Sequence, residues 1–339
     1  MIDKDKKLLA RLKALEKEER YRKNKQDLIE IQSIVNSCVF HYTNAGTLIG
    51  MLHKTSKENP FMTFWASHVA YMNDPKEKEY GIEKLWEVLR DVEKDLSIPT
   101  RQRITELDQE ELDKFIYLQN VKEDSLTNIY SISFSKSFDS LPMWNMYGHN
   151  GNGICLGFDL ECLNEYLYSQ KMERIYRIIY GVGEDVNEPL KVKEEMESWK
   201  KNVKDIYVKS MNFFKQNTDY DADSVEQTEI YDINIVLNNY MVLLATIPGY
   251  IKNPAYKYEE EYRLCCRELG QEVHFRDCNG LLLPYIEVKL PLNALKIVVT
   301  GPTVDNDRQM MSINKLLEKK CNNNHNITFY SSEIPYITR

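Results

Sequence analysis

Short runs rich in β-branched and aromatic residues stand at both ends of this 339-residue chain, with helical stretches between them. That order argues against an alternating parallel βα fold and for a mixed α+β one. Near the front, Cys38-Val39-Phe40-His41-Tyr42-Thr43 reads as a strand stopped by Asn44-Ala45-Gly46, followed by an amphipathic helical turn through Leu48 and Leu52. Phe61 to Ala66 reads as a second strand, and Tyr71-Met72-Asn73-Asp74-Pro75 as a turn, because Asn and Asp side chains bond backbone amides readily there. Strands are also predicted over 128–134, 153–158, 175–180, 262–267, 284–290, 295–300 and 327–330. Helices are predicted over 78–95, 101–120, 190–217, 225–246 and 306–320, with a short one over 141–147 whose first turn accepts Pro142.

Residues 1–36 read as a separate, charged N-terminal helix on which Leu8, Leu12 and Leu15 form a narrow apolar stripe, suited either to a protein partner or a second copy of the chain or to a frayed helix lying on the surface. Residues 37–339 then form a single α+β domain carrying an acidic helical insertion at about 184–249. Within that insertion Asp219, Asp221 and Asp223 imitate the start of a calcium loop. Ser224 stands where its glycine belongs and Ile230 where its bidentate carboxylate belongs, so the motif is set aside. The run Gly148 to Gly153 is likewise assigned to a turn and not to a phosphate cradle, its spacing being wrong for one.

A formal charge of −8 argues against unspecific binding to a nucleic-acid backbone. No apolar run reaches the length of a membrane span and the first residues lack an apolar signal core, so the expected compartment is the cytoplasm. Seven cysteines without a C-x-x-C pair are expected to be reduced thiols, with neither a disulfide nor a zinc site.

The densest chemistry lies in Tyr256-Lys257-Tyr258-Glu259-Glu260-Glu261-Tyr262-Arg263. Read as the opening of a strand, it puts Glu259, Glu261 and Arg263 on one face, and the apolar Leu264-Cys265-Cys266 that follow would leave these charges at the strand's mouth. The plainer reading is a solvated edge strand on which Arg263 neutralises Glu261. His41 closes an apolar strand and is either a satisfied edge residue or, with Tyr42 and Thr43, part of a donor set for ribose hydroxyls. Trp144 and Tyr147 are three apart on one helical face and serve either core packing or a platform for a base.

Several separated signatures carry a resemblance to a known family: His41-Tyr42-Thr43; Asn73-Asp74-Pro75-Lys76-Glu77; Ser131 to Asp159, with its Met143-Trp144-Asn145-Met146-Tyr147-Gly148 and Gly153 to Asp159 stretches; Tyr256 to Arg263; Thr300-Gly301-Pro302; and Ser332 to Tyr336. In order and spacing these resemble the bacterial domain-of-unknown-function family 2971, over about residues 38–339, although members often carry Trp where this chain has Tyr256. Some members stand near phage-defence genes.

The order of the signatures is similar, more distantly, to that of ADP-ribosyltransferases, including toxins that modify DNA. That resemblance implies a strongly bent or split β-sheet core with helices and NAD as the substrate, without a metal. It assigns His41, with Tyr42 and Thr43, to the ribose next to nicotinamide, and Ser133 or Ser135 to the nicotinamide itself. Tyr42, Trp144 or Tyr147 would supply a stacking ring, and Glu261 or Glu259 would stabilise the ribosyl cation. Arg263 would hold the carboxylates or bind a phosphate oxygen. The activity so implied is NAD cleavage with transfer of ADP-ribose, as a toxic effector in phage defence. The acceptor, whether protein, nucleic acid, small molecule or water, is left open. The alternative is a non-catalytic module in which the same residues sense a nucleotide-like ligand and the N-terminal helix signals to a partner.

Overall fold

The computed structural model describes residues 29, 31–74, 76–106, 129–181, 190–217, 251–267, 271–278, 280–303, 305–321 and 326–336. Most of the N-terminal helix, the rest of the predicted 101–120 helix beyond residue 106, the 225–246 helix and the three aspartates of the insertion lie outside them.

In chain order the strands are β1 (Cys38–Thr43), β2 (Phe61–His68), β3 (Ile129–Ser135), β4 (Ile154–Asp159), β5 (Tyr176–Arg177), β6 (Ile179–Tyr180), β7 (Ile251–Lys252), β8 (Glu261–Arg267), β9 (His274–Cys278), β10 (Leu281–Pro291), β11 (Leu295–Thr300) and β12 (Thr328–Ser331). The helices are α1 (Ala45–Met51), α2 (Glu77–Asp95), α3 (Leu141–Met146), α4 (Leu160–Ser169), α5 (Leu190–Asn217) and α6 (Asn306–Cys321). The fold is mixed α+β and its strand pairing mostly antiparallel. The described residues form two compact units, each from separate segments of chain: those within 1–63, 134–171 and 289–339 form the first, those within 64–133 and 172–288 the second.

In the first unit the strand order is β12-β11-β4-β1, parallel between β11 and β12 and antiparallel elsewhere, with Ser135 at the end of β3 opposite Phe40. Parallel neighbours need a crossover, and α6 supplies it. On one face of β1, Phe40 and Tyr42 join Cys38, Cys155, Ile297, Val299, Met143 and Trp144 in a buried cluster. The turn from Gly148 to Gly153 leads straight into β4, as its composition predicts. It is packed so closely that a Cβ on Gly301 would stand 2.2 Å from the Gly151 carbonyl oxygen. Residues 31–37 are helical, and Lys136 Nζ fastens the end of that helix by donating to the carbonyls of Val35, Asn36 and Cys38, where a cation also meets the negative end of the helix dipole.

In the second unit β3 lies between β8 and β2, and β2 continues through β10 to β9. Helices α2 and α5 pack together through a buried polar link: Tyr207 donates to Glu93 at 2.9 Å, and Thr105 donates to the same carboxylate. Two departures from the sequence reading concern local geometry. The predicted helix beginning near 101 opens instead as two single 3₁₀ turns, Thr100–Gln102 and Ile104–Glu106. The predicted strand over 175–180 is two short pieces, β5 beside β8 and β6 beside β7, with the amide of Ile178 between them bonded to the Glu261 carbonyl.

Candidate functional site

Strand period and a left-handed turn together set the charged centre of the second unit. Glu261 and Arg263 are two apart on β8 and share a face, as expected. Glu259 does not extend that strand. It ends a 3₁₀ helix, Pro254–Glu259, and Glu260 follows in the left-handed region at φ 42°, so the chain turns before β8 begins. Nor do the charges sit at a mouth or on a solvated edge: Glu259 and Glu261 are each 3% exposed and Arg263 is 0% exposed.

Buried charges must be paired, and these are. Arg263 donates from Nε to Glu261 Oε1 at 3.0 Å and from Nη2 to Glu261 Oε2 at 2.9 Å, and through Nη1 and Nη2 it also grips Glu77, the first residue of α2. Lys252 of β7 donates to Glu259 at 2.5 Å and to Glu261 at 3.1 Å, with its ammonium 4.8 Å from the centroid of the Tyr256 ring. Ser133 of β3 adds a hydrogen bond to the Glu261 carboxylate. The Tyr180 hydroxyl accepts the Glu261 amide at 2.8 Å. Three carboxylates thus face two cations, an arrangement with one formal negative charge in excess when all are ionised.

Burial alone would push the Glu261 carboxyl up. Arg263 first, then Lys252 and the Ser133 hydroxyl, more than reverse this and hold it below the ordinary carboxylate value. Burial would likewise lower Lys252, but Glu261 and Glu259 raise it above its ordinary value. The two shifts fix the signs of a pH dependence. A depressed carboxyl contributes stability above its unfolded value of 4.5 that is lost as pH falls through the folded value. A raised lysine contributes stability below its unfolded value of 10.5 that is lost as pH rises through the folded value. Urea midpoints measured from acid to alkali are expected to fall on both sides of these limits. Glu261→Gln should flatten the acid limb, and an unchanged acid limb in that variant would count against the assignment.

Of the residues singled out from sequence, Ser133, Glu259, Glu261 and Arg263 come together in the second unit. His41, Tyr42, Thr43, Ser135, Trp144 and Tyr147 belong to the first. There His41 is half-buried on the face of β1 opposite Tyr42, its ring 5.8 Å from that of Phe134. Tyr42 stacks edge-on against Trp144 at 4.9 Å, and its hydroxyl bridges the Ser137 carbonyl and the Ser140 amide. Trp144 is fully buried with its indole N–H on Asp139, and Tyr147 packs against the same cluster. Thr43 is buried opposite Ile154, and Ser135 Oγ accepts the Ser137 amide. Glu77 and Lys252 were missed from sequence. In sequence Glu77 stands in the Asn73 to Glu77 signature just ahead of the predicted 78–95 helix with nothing to mark it as buried, and nothing in Ile251-Lys252-Asn253-Pro254 marks a buried lysine except the apolar residue before it. Asp74 does serve its expected turn, accepting the Lys76 amide at 3.0 Å.

The fold and this centre define an α+β protein whose second unit is organised around a buried carboxylate, lysine and arginine network. Residues 143–264, which run from the Trp144 helix to the strand carrying Arg263, match the family described as protein of unknown function, DUF2971. Among curated proteins and among solved structures nothing matches the chain. Among the described residues no helix is long and apolar enough to cross a membrane, and no group of three or more His, Cys, Asp or Glu is placed to hold a metal ion.

Proposed function

We propose that the protein cleaves NAD and transfers ADP-ribose, with Glu261 as the carboxylate that stabilises the ribosyl cation. The observation that carries this reading is the pairing of Ser133 with Glu261. The resemblance to ADP-ribosyltransferases gives both residues to one site, and they stand on neighbouring strands with the hydroxyl on the carboxylate. Cleavage breaks the bond between the ribose anomeric carbon and the nicotinamide nitrogen, the electron pair leaving with nicotinamide. The positive charge left on the sugar calls for a fixed anion, and Arg263 and Lys252 keep Glu261 ionised. Nucleophilic oxygen or nitrogen of the acceptor then bonds to that carbon, and its proton passes to Glu259 or to solvent.

A second reading, a ligand-sensing module without catalysis, is favoured by the occupancy of Glu261. Both of its oxygens already accept hydrogen bonds from cations, and the residue is 3% exposed. Release of labelled nicotinamide from NAD separates the two. Catalysis predicts release by the native chain that drops by at least about 100-fold in Glu261→Gln, with the variant's folding checked by thermal denaturation. Sensing predicts saturable nucleotide binding without release in the presence of protein, nucleic-acid and small-molecule acceptors.

A further inference from the structure

Beyond the charged centre, one face of the second unit continues as a stripe of polar and aromatic side chains. Ser131 lies two residues before Ser133 on β3, about 7 Å along the strand and on the same face. It is paired in register with Ser67 of β2, so those two hydroxyls also share a face. From β9, Arg276 reaches across to donate from Nη2 to Ser67 Oγ at 2.9 Å, with its guanidinium 5.7 Å from the centroid of the Trp65 ring. Trp65 is 42% exposed and rests on Tyr285 of β10 at 4.7 Å, and Tyr285 in turn meets the ring of His274.

Two buried polar atoms stand out on this face. Ser131 Oγ and Arg276 Nε are shielded from solvent, and neither has a hydrogen-bond partner among the described residues. Ser131 is 4% exposed, and an unpaired buried hydroxyl is costly enough that native proteins rarely keep one without a use for it. Arg276 has no carboxylate against it among the described residues. A guanidinium and a hydroxyl, both short of an acceptor, call for an oxyanion, and a guanidinium presents paired donors that fit a phosphate. A half-exposed tryptophan beside them offers a surface for a flat ring. We propose that this face binds a nucleoside phosphate. Arg276 swings off Ser67, from a strand at the end of the sheet order, so that its Nε and the uncovered Ser131 hydroxyl take the phosphate oxygens while the base lies on Trp65.

The inference stands apart from NAD cleavage, because ADP contains no nicotinamide and a protein that never cleaves NAD can still bind it. Calorimetric titration of the full chain with ADP, adenosine and inorganic pyrophosphate tests it. ADP is expected to bind at least about tenfold more tightly than either of the others. Arg276→Gln should weaken ADP at least about tenfold and Ser131→Ala at least about threefold, as expected for lost charge-assisted and neutral donors. Ser131→Ala also separates a ligand donor from a structural one. Removing a hydroxyl that has no partner should leave the melting temperature unchanged or raised, whereas removing one engaged with the fold should lower it. No binding of ADP, equal binding of adenosine or of pyrophosphate, or a Ser131→Ala chain that melts lower and binds ADP as before would each overturn the proposal.

Discussion

Arg263→Met is expected to lower the unfolding free energy by about 3–5 kcal/mol, the cost of leaving buried charge without its partner. Arg263 is wholly buried and, with Lys252, joins Glu77 of α2 to Glu261 of β8, so its loss leaves these carboxylates to Lys252, which alone cannot neutralise them. Methionine fills much of the volume, which keeps the effect electrostatic and not a matter of a cavity. The sign of the pH dependence is the sharper signature. In the native chain Glu261 is held below its ordinary value, and acid removes that stability. In the variant burial outweighs what Lys252 and Ser133 still supply, the Glu261 carboxyl rises above its unfolded value, and the folded state binds more protons than the unfolded one. Stability should therefore rise as pH falls from neutrality toward the carboxylate range before general acid unfolding sets in. Urea denaturation at several pH values measures both effects. A loss below about 1 kcal/mol together with the native acid slope would show that the network is not the tie between these elements.

The same residues show how far the sequence could be read. β1 was legible to the residue because β-branched and aromatic positions run unbroken to a turn cluster, and α2, α5 and α6 because their apolar positions recur with helical period. Helix α4 was not anticipated, although Asp159 caps it by accepting the Cys162 amide and Leu163 and Leu167 are spaced one turn apart. Its capping residue closes a strand, and the strand signal took precedence. The pairing of Glu261 with Arg263 followed from a period of two. Glu77 meets Arg263 across 186 residues, and no local pattern carries such a contact. Ser67 and Arg276, 209 apart, escaped for the same reason. Glu259 was placed by the wrong geometry and its partner Lys252 went unseen: the alternation of charges suggested a continuous strand, whereas the left-handed Glu260 breaks it.

Trp144→Ala is expected to destabilise by about 3–5 kcal/mol, the range for removing a large buried aromatic side chain. The indole has no exposed surface, lies edge-on to Tyr42 at 4.9 Å and donates to Asp139 at 2.7 Å. Asp139 itself holds a left-handed backbone at φ 51°, a conformation with a cost for a residue other than glycine, so the indole bond helps to fix the loop between β3 and α3. Trp144→Phe separates the contributions: it keeps most of the apolar burial, forfeits the bond and leaves the Asp139 carboxylate without its donor, a loss of about 1.5–3 kcal/mol for a charge-assisted bond. The two variants also bear on whether Trp144 is a platform for a base. Packing predicts that Trp144→Phe, where folded, binds nucleotide with the affinity of the native chain while its denaturation midpoint drops. A platform predicts weakened binding at little change in midpoint, and that outcome would require the ring to leave a cluster in which it is now completely enclosed.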